Sequence, residues 1–346
     1  MSAARPLLLD CTLRDGGYQT GWRFSDGFVA DWLAVCAGLG VDRVELGYLR
    51  VAGPAHPEAA GDWADLPRSL TPGQRALLAE APAVSAAVMV DAADAARLPA
   101  EEAADRVAQR LAEAPIAIPT VRVATRMDGL SGAAAFATAL AARGITPIVN
   151  LMQAADLPPE RLAAELPEQI GDAPIEALYF ADSFGRMRPT DVERLFATVA
   201  AALPIPLGFH AHDNSGLAVA NTQAAIEAGA RTVDATMGGL GRGAGNAATE
   251  TVRLLLDPAP TADALAACDR FLARHVEPLR AESRWGATPL YRWQARVGLH
   301  PTYAQKLAED AAMTDLDRFA VLDRLAASSP RGRYDAGLLE TARRAS

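Results

Sequence analysis

Short, continuous apolar runs alternate with alanine-rich amphipathic stretches along most of the chain. Continuous apolar runs are typical of strands buried on both faces, and amphipathic stretches between them are typical of helices that cover a parallel sheet. Eight such units within about 250 residues predict an α/β fold, a (β/α)8 TIM barrel, with a doubly wound sheet as the alternative. The predicted strands are residues 7–13, 43–48, 84–90, 120–124, 146–151, 177–181, 206–212 and 232–237.

A proline-rich stretch divides the chain into two predicted regions. Asp257 is followed by Pro258 and Pro260, and closely spaced prolines end helices and mark linkers. We therefore expect a catalytic barrel over 1–257 and a C-terminal helical appendage over 258–346, with helices at 261–280 and 304–327. The appendage is expected either to cover the barrel mouth or to form a dimer contact, and we expect a homodimer.

Composition excludes several classes of protein. Half of the 346 residues are hydrophobic and the net charge is −9, which argues against disorder and against nucleic acid as a partner. No apolar stretch reaches membrane-spanning length and no signal sequence is visible, so we expect a cytoplasmic protein without a membrane partner. The three cysteines lack metal-site spacing and are expected to be reduced thiols. Lys306 is the only lysine and follows all eight strands, which argues against a Schiff-base mechanism.

The first predicted strand ends in Arg14 and Asp15, which two glycines follow. An arginine and a carboxylate at a strand end, followed by glycines that permit a sharp turn, place a cation and an anion at the mouth of the barrel. A simple strand-end ion pair is the alternative interpretation. The pair is therefore a candidate for chemistry only if other groups converge on it.

His210 and His212 provide the second candidate group. In a strand, residues two apart point to the same side, about 7 Å apart along the chain, so both imidazoles can contact one metal ion. A carboxylate from another strand would complete a site with open positions for substrate. The glycine-rich segment after the eighth strand fits no phosphate-binding pattern, and we interpret it as a tight loop that carries Asn246 to the site.

Together these segments resemble the DRE-TIM metallolyases, which include HMG-CoA lyase, 4-hydroxy-2-oxovalerate aldolase and isopropylmalate synthase. The similarity rests on the segment from Asp10 to Gly16, on the two histidines, and on the loop that ends at Asn246. The resemblance implies a (β/α)8 barrel with one divalent metal ion, Mn2+, Mg2+, Co2+ or Zn2+, at its C-terminal mouth. It implies that the metal ligands are Asp15, His210, His212 and Asn246, and that Arg14 is the catalytic arginine.

The sequence departs from two subgroups after Arg14. The Claisen-type synthases tend to show the pattern D-G-x-Q, whereas here Gln19 comes four residues after Asp15. The hydroxy-oxovalerate aldolases carry a histidine four residues after the arginine, whereas this chain has Tyr18. A phenol ordinarily keeps its proton at neutral pH, so we expect Tyr18 to contact substrate, with proton transfer or simple packing as further possibilities. Glu45 interrupts an apolar strand and must be paired, so we expect it either to bind Arg14 or to act as an acid or base.

Four more residues are candidates for substrate contacts. Asp182 and Ser183 end the sixth strand and resemble a substrate-side motif of the superfamily, although helix capping would explain them equally. His300 and Tyr303 belong to aromatic segments of the appendage that resemble an aldolase-like subgroup. These segments do not resemble the domain that docks an aldehyde dehydrogenase. Arg122 and Arg126 are further candidates for binding a distal substrate anion.

The resemblance implies a metal-dependent aldolase or lyase. Such an enzyme makes or breaks a carbon–carbon bond next to a 2-oxo acid through a metal-bound enolate, with an aldehyde as the second partner. A Claisen-type acyltransferase that joins acetyl-CoA to a 2-oxo acid is one alternative, although the region after the barrel is short for it. A non-catalytic barrel subunit is another, and the intact set of chemical residues argues against it.

Overall fold

A computed structural model describes residues 5–52, 63–82, 84–256, 258–283, 285–328 and 332–344. Eight parallel strands form a closed barrel in sequence order, with β1 paired to β8. This confirms the predicted TIM barrel, and the apolar runs locate every strand to within a few residues. The strands are β1 Leu7–Asp10, β2 Arg43–Tyr48, β3 Ser85–Asp91, β4 Thr120–Thr125, β5 Thr146–Leu151, β6 Leu178–Asp182, β7 Leu207–Ala211 and β8 Thr232–Ala235.

Helices cover the outside of the barrel and bury one face against it. The main hydrophobic core lies between these helices and the sheet. Among the described residues, no helix combines the length and the apolar character that crossing a membrane requires. The helices of the barrel region are α1 Thr12–Thr20, α2 Asp26–Leu39, α3 Pro72–Ala79, α4 Ala92–Ala95, α5 Ala100–Ala112, α6 Leu130–Ala141, α7 Pro159–Ile170, α8 Pro189–Ala200, α9 Ala218–Glu227 and α10 Thr249–Leu254.

The first predicted strand is too long at its C-terminal end. The carboxylate of Asp10 accepts a hydrogen bond from the backbone N–H of Thr12 at 2.9 Å, and the chain turns there into α1. Arg14 and Asp15 therefore lie in the first turns of a helix rather than on a strand. Gly16 and Gly17 continue that helix, so the sharp turn expected at these glycines is absent.

The C-terminal region is helical, as predicted, but its elements differ in detail. Helix α11 (Ala262–Phe271) continues through a π-helical segment (Leu272–Val276) into α12 (Glu277–Ser283). The helix predicted over 304–327 is wrong, because two helices separated by a loop occupy this span. Thr314 begins the second of them with a reciprocal capping box to Asp317. The remaining helices are α13 Pro289–Val297, α14 Pro301–Ala308, α15 Asp315–Ala326 and α16 Ala336–Arg344.

Helices α13 to α16 enclose a second hydrophobic core. Leu322 and Leu325 lie at its centre with Tyr303, and all three are buried. Helix α11 instead packs against the barrel through Phe271, whereas Asp257 lies outside the described residues. The division of the chain at residue 257 stays a prediction. Cys11, Cys36 and Cys268 are buried, free thiols, as expected.

We expect Leu322→Ala to lower the free energy of unfolding by about 2–5 kcal/mol, because it leaves a cavity in the second core. Chemical denaturation followed by circular dichroism measures this loss. Leu316 lies on the same helix but is 80% exposed, so Leu316→Ala is a matched control with an expected change within about 0.5 kcal/mol. Equal losses in both variants would contradict the assignment of this core.

Candidate active site

The carboxyl ends of the strands surround a pocket of about 180 Å³. Arg14, Asp15, His210 and His212 all line it, so the structure brings together groups from α1 and β7 that the sequence separates by almost 200 residues. The same pocket is lined by Tyr18, Tyr48, Asn150 and Arg242.

Asp15 is the carboxylate at the centre of this cluster. Its Oδ1 accepts a hydrogen bond from Arg14 Nη1 at 2.5 Å, and its Oδ2 accepts one from Asn246 Nδ2 at 2.5 Å. Burial alone would raise the pKa of Asp15, but the Arg14 guanidinium holds it well below its usual range. Asp15 is therefore an anion at neutral pH, as a metal ligand must be.

Each of the two histidines is oriented by a hydrogen bond from its Nδ1. His210 Nδ1 lies 2.9 Å from Asp234 Oδ2, and His212 Nδ1 lies 3.3 Å from the carbonyl oxygen of Gly245. Because Nδ1 of each ring is engaged by its partner, Nε2 is the nitrogen that is left to bind a metal ion. Metal-binding imidazoles are commonly oriented in this way. Burial lowers the pKa of His212 well below its usual value, so its ring is neutral and able to coordinate a cation.

One ligand atom each from Asp15, His210 and His212 lies within 4.8 Å of the others. Asn246 adjoins them, and its Oδ1 is buried without a hydrogen-bond partner in the described part of the chain. A buried, unpaired carbonyl oxygen is costly unless a ligand satisfies it. Two imidazoles, a carboxylate and this oxygen suit a divalent cation such as Mn2+ or Zn2+, so the residues fit the metal that the resemblance implies.

The glycine-rich loop can bring Asn246 to the cluster because one of its residues, Gly241, has no side chain at the point where the loop packs against Asp15. A Cβ on Gly241 would lie 2.6 Å from Asp15 Oδ2 and would also collide with Asn246. The loop thus closes on the carboxylate through bare backbone, in agreement with its interpretation as a tight loop. The backbone N–H of Arg242 also donates to Asp15 Oδ2 at 3.3 Å.

A second group of possible ligand atoms comprises Cys11, His210 and Asp234. Burial raises the pKa of the Cys11 thiol well above its usual value, so the thiol keeps its proton and donates to the carbonyl of Ala235. Asp234 Oδ2 is already bound to His210 and to Arg122. We therefore assign Asp234 to the support of His210 rather than to a separate metal site.

A chain of buried charges lies beneath the pocket. Glu45 Oε2 accepts from Arg14 Nε at 2.8 Å and from Arg122 Nη1 at 3.1 Å. Arg122 Nη2 in turn donates to Asp234 Oδ2 at 2.5 Å, and its guanidinium stacks 4.6 Å from the centre of the Tyr179 ring. Glu45 is thus paired with Arg14, one of the two roles predicted for it.

Tyr18 lies on α1, four residues after Arg14. Its hydroxyl is 3.1 Å from the hydroxyl of Tyr48, and the guanidinium of Arg242 lies 5.7 Å from the centre of its ring. Burial and the neighbouring Tyr18 raise the pKa of Tyr48 well above its usual value, so Tyr48 keeps its proton. Tyr18 therefore lines the pocket with its hydroxyl in a polar contact, and it is not merely packed.

The other predicted site residues divide between the pocket and its surroundings. Ser183 lines the pocket and its Oγ accepts from the backbone N–H of Gln153 at 2.9 Å. Asp182 points into the loop after β6, where it accepts from the backbone N–H groups of Arg186 and Met187. This local capping explains its position without a substrate.

The appendage residues lie outside the pocket. His300 caps α14 by accepting from the backbone N–H of Thr302 at 3.3 Å, and its ring contacts Phe184. The Tyr303 ring is buried in the second core, where its hydroxyl accepts from the backbone N–H of Asp335. Arg122 forms ion pairs with the buried carboxylates of Glu45 and Asp234, and Arg126 lines a different cavity. These four residues are not brought to the metal-ligand cluster.

Sequence reasoning missed four residues of the site: Tyr48, Asn150, Asp234 and Arg242. Asp234 interrupts an apolar strand just as Glu45 does, so the same signal could have identified it. Asn150 is a polar residue near the end of an apolar strand, and its buried Oδ1 accepts no hydrogen bond in the described part of the chain. Arg242 is the charged residue of the glycine-rich loop, which makes it conspicuous there.

The HMGL-like family profile matches residues 5–270 of the chain. The chain belongs to the HMGL-like family. This membership confirms the predicted DRE-TIM metallolyase superfamily and, with it, the prediction of an enzyme. Residues 5–270 include every residue of the cluster described above, so the family match and the site geometry concern the same part of the chain.

Relatives of this HMGL-like chain include 4-hydroxy-2-oxovalerate aldolases. That of Carboxydothermus hydrogenoformans is 49% identical over 115 residues, 33% of this chain and 33% of the relative. That of Moorella thermoacetica is 33% identical over 275 residues, 74% of this chain and 72% of the relative. The first of these matches thus spans only a third of the relative's length. Neither relative is named as an acyltransferase, so the Claisen alternative is not favoured.

A solved structure shares the fold of most of the HMGL-like chain. The N-terminal domain of a proposed aldolase from Bacteroides vulgatus superposes with a TM-score of 0.73 at 26% identity. The superposition covers 87% of this chain and 96% of that domain. This share of the chain is longer than the barrel, which ends with α10 at Leu254, so the similarity extends into the C-terminal region.

We expect Asp182 to make the stability of this HMGL-like protein depend on pH. Burial raises its pKa to about 6, so the folded state binds the proton more tightly than the unfolded state and its contribution to stability falls as pH rises from about 4 to 6. Lowering the pH from 7 to 4 should stabilise the wild type relative to Asp182→Asn by about 2 kcal/mol. Denaturant titrations across this range measure the difference, and parallel curves would contradict the burial of this carboxylate.

Proposed function

We propose that the protein is a divalent-metal-dependent aldolase that makes or breaks a carbon–carbon bond next to a 2-oxo acid. The observation that carries this proposal is the convergence of Asp15, His210 and His212 beside Arg14 at the carboxyl ends of the strands. The aldolases among its relatives support the same reaction class. A 2-oxo acid and an aldehyde are the proposed partners.

A divalent cation held by Asp15, His210, His212 and Asn246 would supply Lewis acidity to a 2-oxo acid at this site. The buried ligands define where the oxo acid binds, and the orphaned Asn246 oxygen gives the set its fourth donor. Apolar side chains, among them Met89, Ala124 and Met152, line the same pocket and reduce the contact of a reactive intermediate with water.

Arg14 is the group placed to stabilise negative charge during the reaction. Two of its nitrogens are bound, Nε to Glu45 and Nη1 to Asp15, whereas Nη2 donates no hydrogen bond within the described part of the chain. The neighbouring carboxylates Glu45 and Asp15 outweigh burial and raise the pKa of Arg14, so it remains charged. A fixed cation beside the oxo acid can stabilise the enolate that forms when the carbon–carbon bond breaks.

Tyr18 is the proposed proton-handling group. The relatives' base is a histidine at this position by resemblance, and the hydroxyl of Tyr18 lies on the pocket wall in contact with the Tyr48 hydroxyl. In the condensation direction Tyr18 can donate its proton to the substrate oxygen that becomes the hydroxyl, and the Tyr48 hydroxyl can donate a hydrogen bond to the phenolate that remains; in the cleavage direction the proton returns from the substrate hydroxyl to that phenolate. Asn150 adds a buried acceptor on the same pocket wall.

We expect the protein purified without chelator to contain about one divalent ion per chain, and we expect Asp15→Ala and His212→Ala to lose it. Elemental analysis of the purified variants measures this. Asp31→Ala and His275→Ala are matched controls, because this pair lies 2.7 Å apart between α2 and the π-helical segment, outside the pocket. An ion-free wild-type protein that also binds no added Mn2+ would refute the metal site.

We expect the Mn2+-loaded protein to exchange the methyl protons of pyruvate in deuterated water, because the site stabilises an enolate. Arg14→Gln should slow this exchange by about 10²- to 10³-fold through the loss of the cation. Proton NMR follows the loss of the methyl signal.

Arg43→Gln is the control for this experiment, since Arg43 begins β2 and pairs with Glu176 at the opposite end of the barrel. The proposal fails if the wild type shows no exchange with any of a panel of 2-oxo acids. Release of CoA from acetyl-CoA in the presence of these oxo acids would instead point to acyl transfer.

A further inference from the structure

The glycine-rich loop places a second arginine in the pocket besides Arg14. The Arg242 backbone is fixed by its N–H donating to Asp15 Oδ2, so its side chain begins beside the metal-ligand cluster. The side chain is half-buried and lines the pocket wall next to Tyr18 and Ser183. Its guanidinium is therefore held near the proposed substrate but is not part of the ligand set.

The guanidinium of Arg242 differs from that of Arg14 in its contacts. Arg14 contacts the carboxylates of Asp15 and Glu45, whereas no carboxylate oxygen in the described part of the chain lies within 4.0 Å of the Arg242 guanidinium. The hydrogen bond that its Nη2 donates goes to a neutral acceptor, the carbonyl oxygen of Ser183, at 3.2 Å. A partly desolvated guanidinium of this kind is a typical binding group for an oxyanion.

A bound divalent cation would leave the site with a net positive charge. Among the described residues, the three arginines Arg14, Arg122 and Arg242 are matched in number by the carboxylates of Asp15, Glu45 and Asp234 before any cation is bound. A divalent cation would add two positive charges. The single carboxylate of a 2-oxo acid such as pyruvate offsets one of them, so the pocket favours a substrate with a second negative charge.

We propose that Arg242 binds a second anionic group of the substrate, at the end remote from the 2-oxo acid. The inference rests on the proposed function and specifies its substrate class, a 4-hydroxy-2-oxo acid whose aldehyde-derived part bears a carboxylate or a phosphate. In this proposal the oxo-acid end binds at the metal site and at Arg14, and the carbon chain runs past Tyr18 toward Arg242. The Tyr18 ring contacts the guanidinium and helps to hold its orientation.

Binding of two unreactive analogues tests the inference. 2-Oxoglutarate and 2-oxovalerate have chains of equal length, and only the first carries a distal carboxylate. We expect the Mn2+-loaded wild type to bind 2-oxoglutarate about 10- to 100-fold more tightly by calorimetry, and we expect Arg242→Gln to lose most of this ratio. Arg242→Lys should retain part of it, because a lysine keeps the charge but not the fork of donors.

Arg194→Gln is the matched control, since Arg194 is exposed on α8 and pairs with Glu160 away from the pocket. It should keep the wild-type ratio. Equal affinity of the wild type for the two analogues would overturn the inference, and so would an equal loss of both affinities in Arg242→Gln, which indicates a purely structural role.

A second measurement distinguishes the two sources of the anion. Condensation of pyruvate with glyoxylate, glyceraldehyde 3-phosphate, acetaldehyde and glyceraldehyde is compared by kcat/KM in the wild type and in Arg242→Gln. A preference for glyoxylate identifies a carboxylate and one for the phosphorylated aldehyde identifies a phosphate, provided that Arg242→Gln reduces it. No preference for either charged aldehyde overturns the inference. Pyruvate proton exchange by the wild type tests the proposed function separately, so the two failures are distinguishable.

Discussion

Glu45 and Asp234 are carboxylates buried in the interior of a barrel, where an unpaired charge is severely destabilising. Both are paired with the same guanidinium, that of Arg122, which is itself fully buried. Glu45 also binds Arg14, and Asp234 also binds His210, so one arginine on β4 connects Arg14, the group proposed to stabilise substrate charge, to a predicted metal ligand. The spacing of these two functional groups is therefore set by ion pairs beneath the pocket and not by the loops around it.

This arrangement explains why the interior of the barrel contains an unusual mixture of side chains. Tyr179 stacks on the Arg122 guanidinium, and a Cβ on Gly208 would lie 2.6 Å from that ring. The glycine on β7 thus makes room for an aromatic ring on β6 that shields the buried cation from below. Bulk packing and charge pairing are combined in the same layer, whereas the layer above it is open to substrate.

The sequence was sufficient to predict all eight strands, because each is a continuous apolar run. It was also sufficient to predict the cluster of Arg14, Asp15, His210 and His212, because each of the two motifs is a short local segment that follows a strand. It could not show that Asp10 ends β1 early, since the Asp10 carboxylate is held there by hydrogen bonds from Thr12 and from the distant Trp32 and Thr249. It also could not show how the buried charges pair, because Arg122 and Asp234 are 112 residues apart and nothing local specifies their contact. The sequence also could not show that Tyr303, a candidate for substrate contact, is buried in the second core, because a motif gives the residue type but not its packing partners.

The single lysine has a consequence that follows from where α14 lies. Lys306 contacts Glu309 on the outer part of the C-terminal helices, and every other side-chain cation is an arginine or a histidine. Reagents that acylate primary amines therefore find one side chain besides the α-amino group of the chain, and that side chain does not line the pocket. A fluorophore or a surface linker attached there modifies no side chain of the barrel, so the protein offers a single side-chain amine for immobilisation and single-molecule spectroscopy.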